Sequence, residues 1–453
     1  VTQSAANPWA EGTNDDAYAL DRAHVFHSWS AQGSLNPRVF ASGSGCRVWD
    51  FDGNRMLDFS SQLVNTNIGH QHPRVIEAIQ QQAAVQATVA PQHASLVRGR
   101  AAKAITELAP ANHHKVFFTN GGADAAENAI RMARLHTGRH KVLSFYRSYH
   151  GNTGAAITAT GDPRRWPNEF AYGHVHFFGP YLYRTPFWST SPEQESARAL
   201  EHLEQVILFE GPSTVAAVLI ESVVGTAGVL VPPPGYLAGV RALCDKYGIV
   251  YIADEVMCGF GRTGEWFAFS HFGVEPDLII FAKGSNSGYV PLGGVIISDE
   301  IADTFDDRVF PGGLTYSGHP LATASALATL TAMRDEGIVE HAAAIGREVL
   351  GPGLAELADK HKVIGEVRGM AVFWALELVS DRTTREPLAP YGGSSEAMAA
   401  LTAGCTSRGL LPFTNFNRLH VVPPCVVTAD EAREGLAILD EALAEIGRFY
   451  VGD

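Results

Sequence analysis

The sequence predicts an α/β fold in which a mostly parallel sheet is covered by helices on both faces, with a smaller α+β unit beside it. Three observations carry this. Short, continuously apolar runs of strand length recur at 116–118, 142–145, 215–220, 249–253, 278–282 and 295–297. Helical patterns stand between several of them, and unbroken apolar strands alternating with helices mark a sheet buried on both sides. Beyond about residue 330 the texture changes to longer helical stretches around one long apolar run. At about 150 residues per domain, 453 residues predict roughly three domains, or two with one large. The expected division is 1–74 as an arm and part of the small domain, 75–330 as the large domain, and 331–453 as the rest of the small domain.

In chain order, residues 1 to about 30 carry no regular period and are expected to pack as an arm. Cys46 to Phe51, then Asp52-Gly53, then Arg55 to Phe59 read as a hairpin, because Asp-Gly between alternating runs suits a tight turn. A helix opened by Pro73 is predicted over 73–86. The strand at 116–118 leads into a helix over 124–136, with Ala126, Ala129, Ile130 and Ala133 on one face. A helix over 236–247 precedes the strand at 249–253. Further helices are predicted over 321–334 and 345–360, a strand over 367–378, and a closing amphipathic helix over 428–449.

Composition narrows the function. Apolar residues are 46% of the chain and charged residues 18%, enough for a large core. The formal net charge of −14 argues against a nucleic-acid or anionic-membrane surface. No apolar run reaches the ~18 residues of a membrane span. The polar, acidic start lacks the pattern of a signal peptide, and five scattered cysteines fit reduced thiols better than a disulfide framework. A cytoplasmic protein is expected.

Ligands of open α/β sheets bind beyond the carboxyl ends of the strands, and four places there carry chemistry. Lys283 follows the run at 277–282; burial lowers the pKa of such an amine and makes it a nucleophile toward carbonyls, although a lysine snorkelling to solvent fits the position too. Asp254-Glu255 ends the run at 249–253, where a buried carboxylate needs a partner, either a cationic ring nitrogen or a local base such as Arg262. The turn Thr119 to Asp124, with Gly121 and Gly122, brings backbone N–H groups and a helix N-terminus to where a phosphate could sit, or serves steric needs alone. Tyr149-His150-Gly151 offers a ring to lie over a planar cofactor, or a core tyrosine. No metal-ligand spacing, nucleophile elbow or dinucleotide fingerprint is present. The order of phosphate turn, aromatic, strand-end Asp and strand-end Lys outlines a pyridoxal phosphate site.

From about Leu57 to Pro424 the chain resembles the class III, or ω-type, aminotransferases of pyridoxal-phosphate fold type I. The resemblance rests on Asn67-Ile68-Gly69-His70, the turn at 120–127, Tyr149-His150-Gly151, Pro232 to Leu237, Ile252 to Val256, Gly259 to Gly264, Ala282-Lys283-Gly284, Pro291 to Gly294 and Thr315 to Pro320. It implies a mostly parallel seven-stranded-type sheet, and pyridoxal 5′-phosphate bound covalently by Lys283, which then shuttles a proton. Asp254 would keep the ring nitrogen protonated, with Tyr149 and Val256 on the two ring faces and His150 close by. Gly121, Gly122 and Ala123 would hold the phosphate, although Ala123 stands where the family usually has serine. Thr315 would reach the phosphate of a neighbouring subunit, since family sites lie at a homodimer interface, and the resemblance leaves both a dimer and a tetramer open. Arg418 is the only arginine in the segment where many members grip a substrate carboxylate, displaced along its strand, and Glu221 matches the glutamate that gates it.

Residues 27–32 and 58–65 resemble the taurine–pyruvate branch. Trp29, Leu63 and Val64 would then form an apolar substrate wall and Gln62 and Asn65 polar anchors, unless they are interface packing. The expected reaction moves the amino group of an ω-amino acid or amine, taurine as the specific donor, to pyruvate by a ping-pong cycle. The alternatives are 4-aminobutyrate or another ω-amino acid as donor with 2-oxoglutarate as acceptor, and a non-transaminating enzyme of the same fold and cofactor.

Overall fold

The computed structural model describes residues 10–453. Strands β1 (Ser42–Ser44), β2 (Arg47–Trp49) and β3 (Arg55–Asp58) form an antiparallel meander, with the expected hairpin as its second half. Its turn is held by Asp50, whose carboxylate accepts the N–H groups of Asp52 at 3.0 Å and Asn54 at 2.8 Å. Ahead of it, Asn14–His24 is helical, where no period was expected. A Thr13–Asp16 capping box starts that helix, and no residue of it is buried, so no apolar stripe announces it.

The central sheet has seven strands: β4 (Lys115–Thr119), β5 (Lys141–Phe145), β6 (His174–Phe177), β7 (Val215–Glu221), β8 (Val250–Asp254), β9 (Leu278–Phe281) and β10 (Gly293–Ile297). They lie in the order β4-β10-β9-β8-β7-β5-β6, and only β10 runs against the others. Its connection from β9, residues 282–292, holds one short turn of helix, too little for the crossover that a parallel strand needs. Every residue of β7, β8, β9 and β10 is buried, which is why these strands read as unbroken apolar runs. The edge strand β6 is only partly covered, and its His-Val-His-Phe pattern escaped the sequence reading.

The helix after β4 spans Gly122–Thr137 and buries Ala126, Ala129, Ile130 and Ala133 as its period predicts. Tyr236–Tyr247 is helical as expected. The helices Leu96–Thr106, Pro192–Glu210 and Glu396–Ser407 were not anticipated, although Ser191 caps the second and Pro192 opens it.

The remaining strands are β11 (Ile364–Met370), β12 (Phe373–Asp381), β13 (Glu386–Pro387), β14 (Leu410–Leu411), β15 (Phe413–Asn415) and β16 (Arg418–Val421). The single strand expected at 367–378 is in fact the hairpin of β11 and β12. The run reverses at Gly369 (φ 149°) and Ala371 (φ 49°), and a Cβ on Gly369 would stand 2.3 Å from Phe373 O. The helix expected at 345–360 begins earlier, at Ile338, and is interrupted by a π-turn over Gly346–Leu350. β14 pairs in parallel with β3, which ties the two ends of the chain into one small sheet. Thr428 caps the final helix, Ala429–Ile446. All five cysteines are buried and unpaired.

Candidate active site

Parallel neighbours present their last residues at one level, so the ends of β7, β8 and β9 build the floor of a single cleft. Glu221 and Asp254 are register partners as the final residues of β7 and β8. Lys283 follows β9 at φ 46°, a left-handed conformation costly for a side chain with a Cβ. Across the cleft, Gly121 precedes the helix Gly122–Thr137 without any side-chain cap, leaving the first N–H groups of the helix unclaimed by a cap. Together these elements enclose a cavity of about 320 Å³ lined by Gly121, Gly122, Ala123, Tyr149, His150, Glu221, Asp254, Val256 and Lys283.

The carboxylate of Asp254 is fixed from two sides. Oδ1 accepts the Val256 N–H at 3.0 Å, and Oδ2 lies 2.7 Å from His150 Nδ1. The anticipated alternative partner, Arg262, is elsewhere: fully buried, it donates to Ser61 Oγ, Asn67 Oδ1 and the carbonyls of Val372 and Pro423. Glu255 points away too, accepting the N–H groups of Ala268 and Phe269, and burial pushes it up to about 7. Glu221 accepts from Tyr149 N at 3.1 Å and Gly225 N at 2.8 Å, and burial likewise raises it to about 7. Burial lowers the pKa of Lys283, against the opposing pull of Asp254 and Glu221. Its Nζ makes no hydrogen bond among the described residues.

The side walls are packed by small residues. A Cβ on Gly151 (φ 132°) would stand 2.5 Å from Ala123 Cβ, and one on Gly122 would stand 3.0 Å from Val256 Cγ2. The Tyr149 ring is covered on one side by the Arg164 guanidinium, 3.5 Å from the ring centroid. Asp162 holds that guanidinium through Nε, at 2.9 and 3.1 Å. The positive charge of Arg164 also bears on Lys283.

A neutral amine at one strand end can attack a carbonyl, and a fixed carboxylate beside it can hold a protonated ring nitrogen. Uncapped N–H groups at a helix start suit a phosphate. The spare donors and the unbonded amine therefore fit pyridoxal 5′-phosphate.

Residues 29–443 match the family model of the class III aminotransferases. The chain is a class III aminotransferase. The taurine–pyruvate aminotransferase of Rhodobacter capsulatus is 35% identical over 87% of both chains. The putrescine–pyruvate aminotransferase of Pseudomonas aeruginosa is 34% identical, over 94% of this chain and 95% of its own. The crystal structure of taurine:2-oxoglutarate aminotransferase from Bifidobacterium kashiwanohense, in complex with PLP and glutamate, superposes with a TM-score of 0.94 at 42% identity, covering 97% of this chain and 100% of that one. The aminotransferase thus has the type I fold and uses pyridoxal 5′-phosphate. Bound, the cofactor supplies a carbonyl that takes up amino groups and a ring that withdraws electrons.

Five residues named from the sequence as cofactor or substrate contacts lie outside this cavity. Val64 turns inward, 1% exposed, and packs with Val223, Met257 and Cys258, because its backbone twists through φ 57°. Trp29 is 63% exposed, and Thr315 is exposed as well. Arg418 is buried in β16, its Nε donating to Asn415 O at 3.2 Å and its guanidinium over Phe416. Leu63 and Asn65 do line the cavity, whereas Gln62 is turned to Asp58, at 2.9 Å. The sequence reading missed Arg164. Its signal was Asp162-Pro163-Arg164, an acidic cap before a proline-led turn, which places an arginine but not what it covers.

Proposed function

We propose that this aminotransferase takes the amino group of an ω-amino acid with a terminal anion, taurine being the specific donor, and passes it to pyruvate in two successive half-reactions. The observation that supports the reading is Arg164, a cation stacked on Tyr149, the ring that lines the cavity of Lys283 and Asp254, and near enough for its charge to bear on Lys283. A sulfonate two carbons from an amine suits a guanidinium set beside the reacting centre.

In this proposal Lys283 Nζ binds the cofactor and moves the proton taken from the carbon that bears the amino group. Asp254, oriented by His150, keeps the ring nitrogen protonated. Tyr149 and Val256 flank the ring, and the N–H groups of Gly121, Gly122 and Ala123 hold the phosphate. Leu63 forms part of the substrate wall. A homodimer in the cytoplasm would place the exposed Thr315 and Trp29 at a partner's cavity. The 42% identity to a taurine:2-oxoglutarate enzyme favours a second reading, with 2-oxoglutarate as acceptor.

Alanine formation from taurine and pyruvate, set beside glutamate formation from taurine and 2-oxoglutarate, tests the donor and separates the acceptors. Lys283→Ala should abolish both; turnover at the wild-type rate in that variant would refute the assignment, and inactivity toward taurine would remove it as the donor.

A further inference from the structure

Behind Glu221 lies a second cavity, separate from the first: of the residues lining the two, only Glu221 is common. Much of its wall is apolar, from Phe178, Pro180, Pro186 and Leu230, but two arginines, Arg147 and Arg184, also line it. Arg147 makes no ion pair or side-chain hydrogen bond among the described residues; its guanidinium rests 5.3 Å from the Tyr181 ring centroid and 5.9 Å from that of Tyr391. Arg184 spends Nε on Glu377 at 2.9 Å and leaves Nη2 buried without a partner, as is Tyr181 Oη.

Charge is unbalanced around this cavity. Arg368, 5.0 Å from the Tyr181 ring centroid, pairs with both Glu366 (2.5 Å) and Glu377 (2.8 Å). Arg418 feels Glu377 but is also repelled by Arg368 and Arg147, and burial brings it down to about 10. Glu377 thus serves Arg184 and Arg368 and attracts Arg418, Glu366 pairs with Arg368, and Arg147 has no carboxylate, since Glu221 gives its oxygens to backbone N–H groups. The half-buried Arg147, without a carboxylate, and the unpartnered Nη2 of Arg184 are the donors that an anion would satisfy.

We propose that this cavity binds a short aliphatic dicarboxylate, one carboxylate on Arg147, the other on Arg184, with the methylene chain along the apolar wall. The site is distinct from the cofactor cavity and does not depend on taurine being the donor. Its floor, Glu221, is the residue that receives the Tyr149 N–H, so occupancy bears directly on the ring that faces the cofactor.

Glutarate is the probe, because it has neither an amino nor a keto group to transfer. Calorimetry on the holoenzyme should show saturable binding. Arg147→Met should weaken it about tenfold or more, the loss expected for a charged hydrogen bond; Arg147→Lys should keep most of it, and Arg164→Gln should leave it unchanged. Having no ion pair or side-chain hydrogen bond, and with methionine able to keep its apolar packing on Tyr181 and Tyr391, Arg147 can be replaced without unfolding the chain, and an unchanged cofactor spectrum checks this. Absence of saturable binding to the wild type, or binding lost in Arg164→Gln and kept in Arg147→Met, overturns the proposal. Either result leaves the donor assignment standing, just as inactivity toward taurine leaves this site standing.

Discussion

His150 Nδ1 lies 2.7 Å from Asp254 Oδ2, and both side chains are shut away from solvent. The pair spans two strands of the central sheet, since His150 follows β5 and Asp254 ends β8. Its effect is to fix which way the aspartate faces, with Val256 N–H holding the other oxygen. The imidazole's own Nε2 is buried without a partner, so the ring serves Asp254 and nothing else among the described residues.

Removing that imidazole should cost the site its orientation. His150→Ala leaves a buried carboxylate oxygen unpaired, a loss of about 1–3 kcal/mol. The expected outcome is a cofactor released about tenfold to a hundredfold more readily on dialysis, with a matching fall in kcat. An unchanged spectrum and rate after dialysis would show that Asp254 needs no such support.

Arg164 should discriminate among donors. Arg164→Gln keeps a planar group over Tyr149 but removes the charge, so the KM for taurine should rise about tenfold to a hundredfold. An uncharged monoamine should be used as well as before or better. Steady-state kinetics on the two donors measures the split, and equal losses on both would place Arg164 in support of Tyr149 instead.

Two consequences of pH follow from burial. Burial lowers the Lys283 pKa, so in the cofactor-free enzyme its neutral fraction grows as pH rises and the rate of cofactor attachment, followed by absorbance, should rise through a pH below the ordinary lysine range. Burial also lowers His420 to about 3, while its Nε2 stays 3.2 Å from Gly225 O. The unfolded chain then binds a proton that the folded one refuses between about 6.5 and 3, so stability is full above 6.5 and is lost as pH falls. His420→Gln, which still donates to that carbonyl, should remove about 2 kcal/mol of this loss at pH ~5. Denaturant titrations at both ends of the range provide the comparison.

Gly151 is a tight point of the site wall. Gly151→Ala would set a Cβ 2.5 Å from that of Ala123 at φ 132°, a strain of about 1–3 kcal/mol. The variant should melt at a lower temperature and retain less cofactor, both readable from one spectroscopic melt.

Much of this site was legible before any coordinates, because the chemistry sits at strand ends. An unbroken apolar run such as 249–253 can only be a buried strand or a buried helix segment, and its length and the Asp254 that stops it decide the matter. The same logic placed Lys283, the Gly121-Gly122 turn and Tyr149. Val64 shows where it failed: its apolarity was read as a cavity wall, but a twist at φ 57° sends the side chain into the core.

The residue types and their order along the chain therefore determined the fold, the cofactor and the strand-end positions of Asp254 and Lys283, since each depends on local pattern and on strand termini. Only the tertiary structure decided that His150 serves Asp254, that Arg164 covers Tyr149 and that Arg184 and Arg368 meet on Glu377. Those relationships join segments far apart in sequence, and no local periodicity records which distant charge will face which.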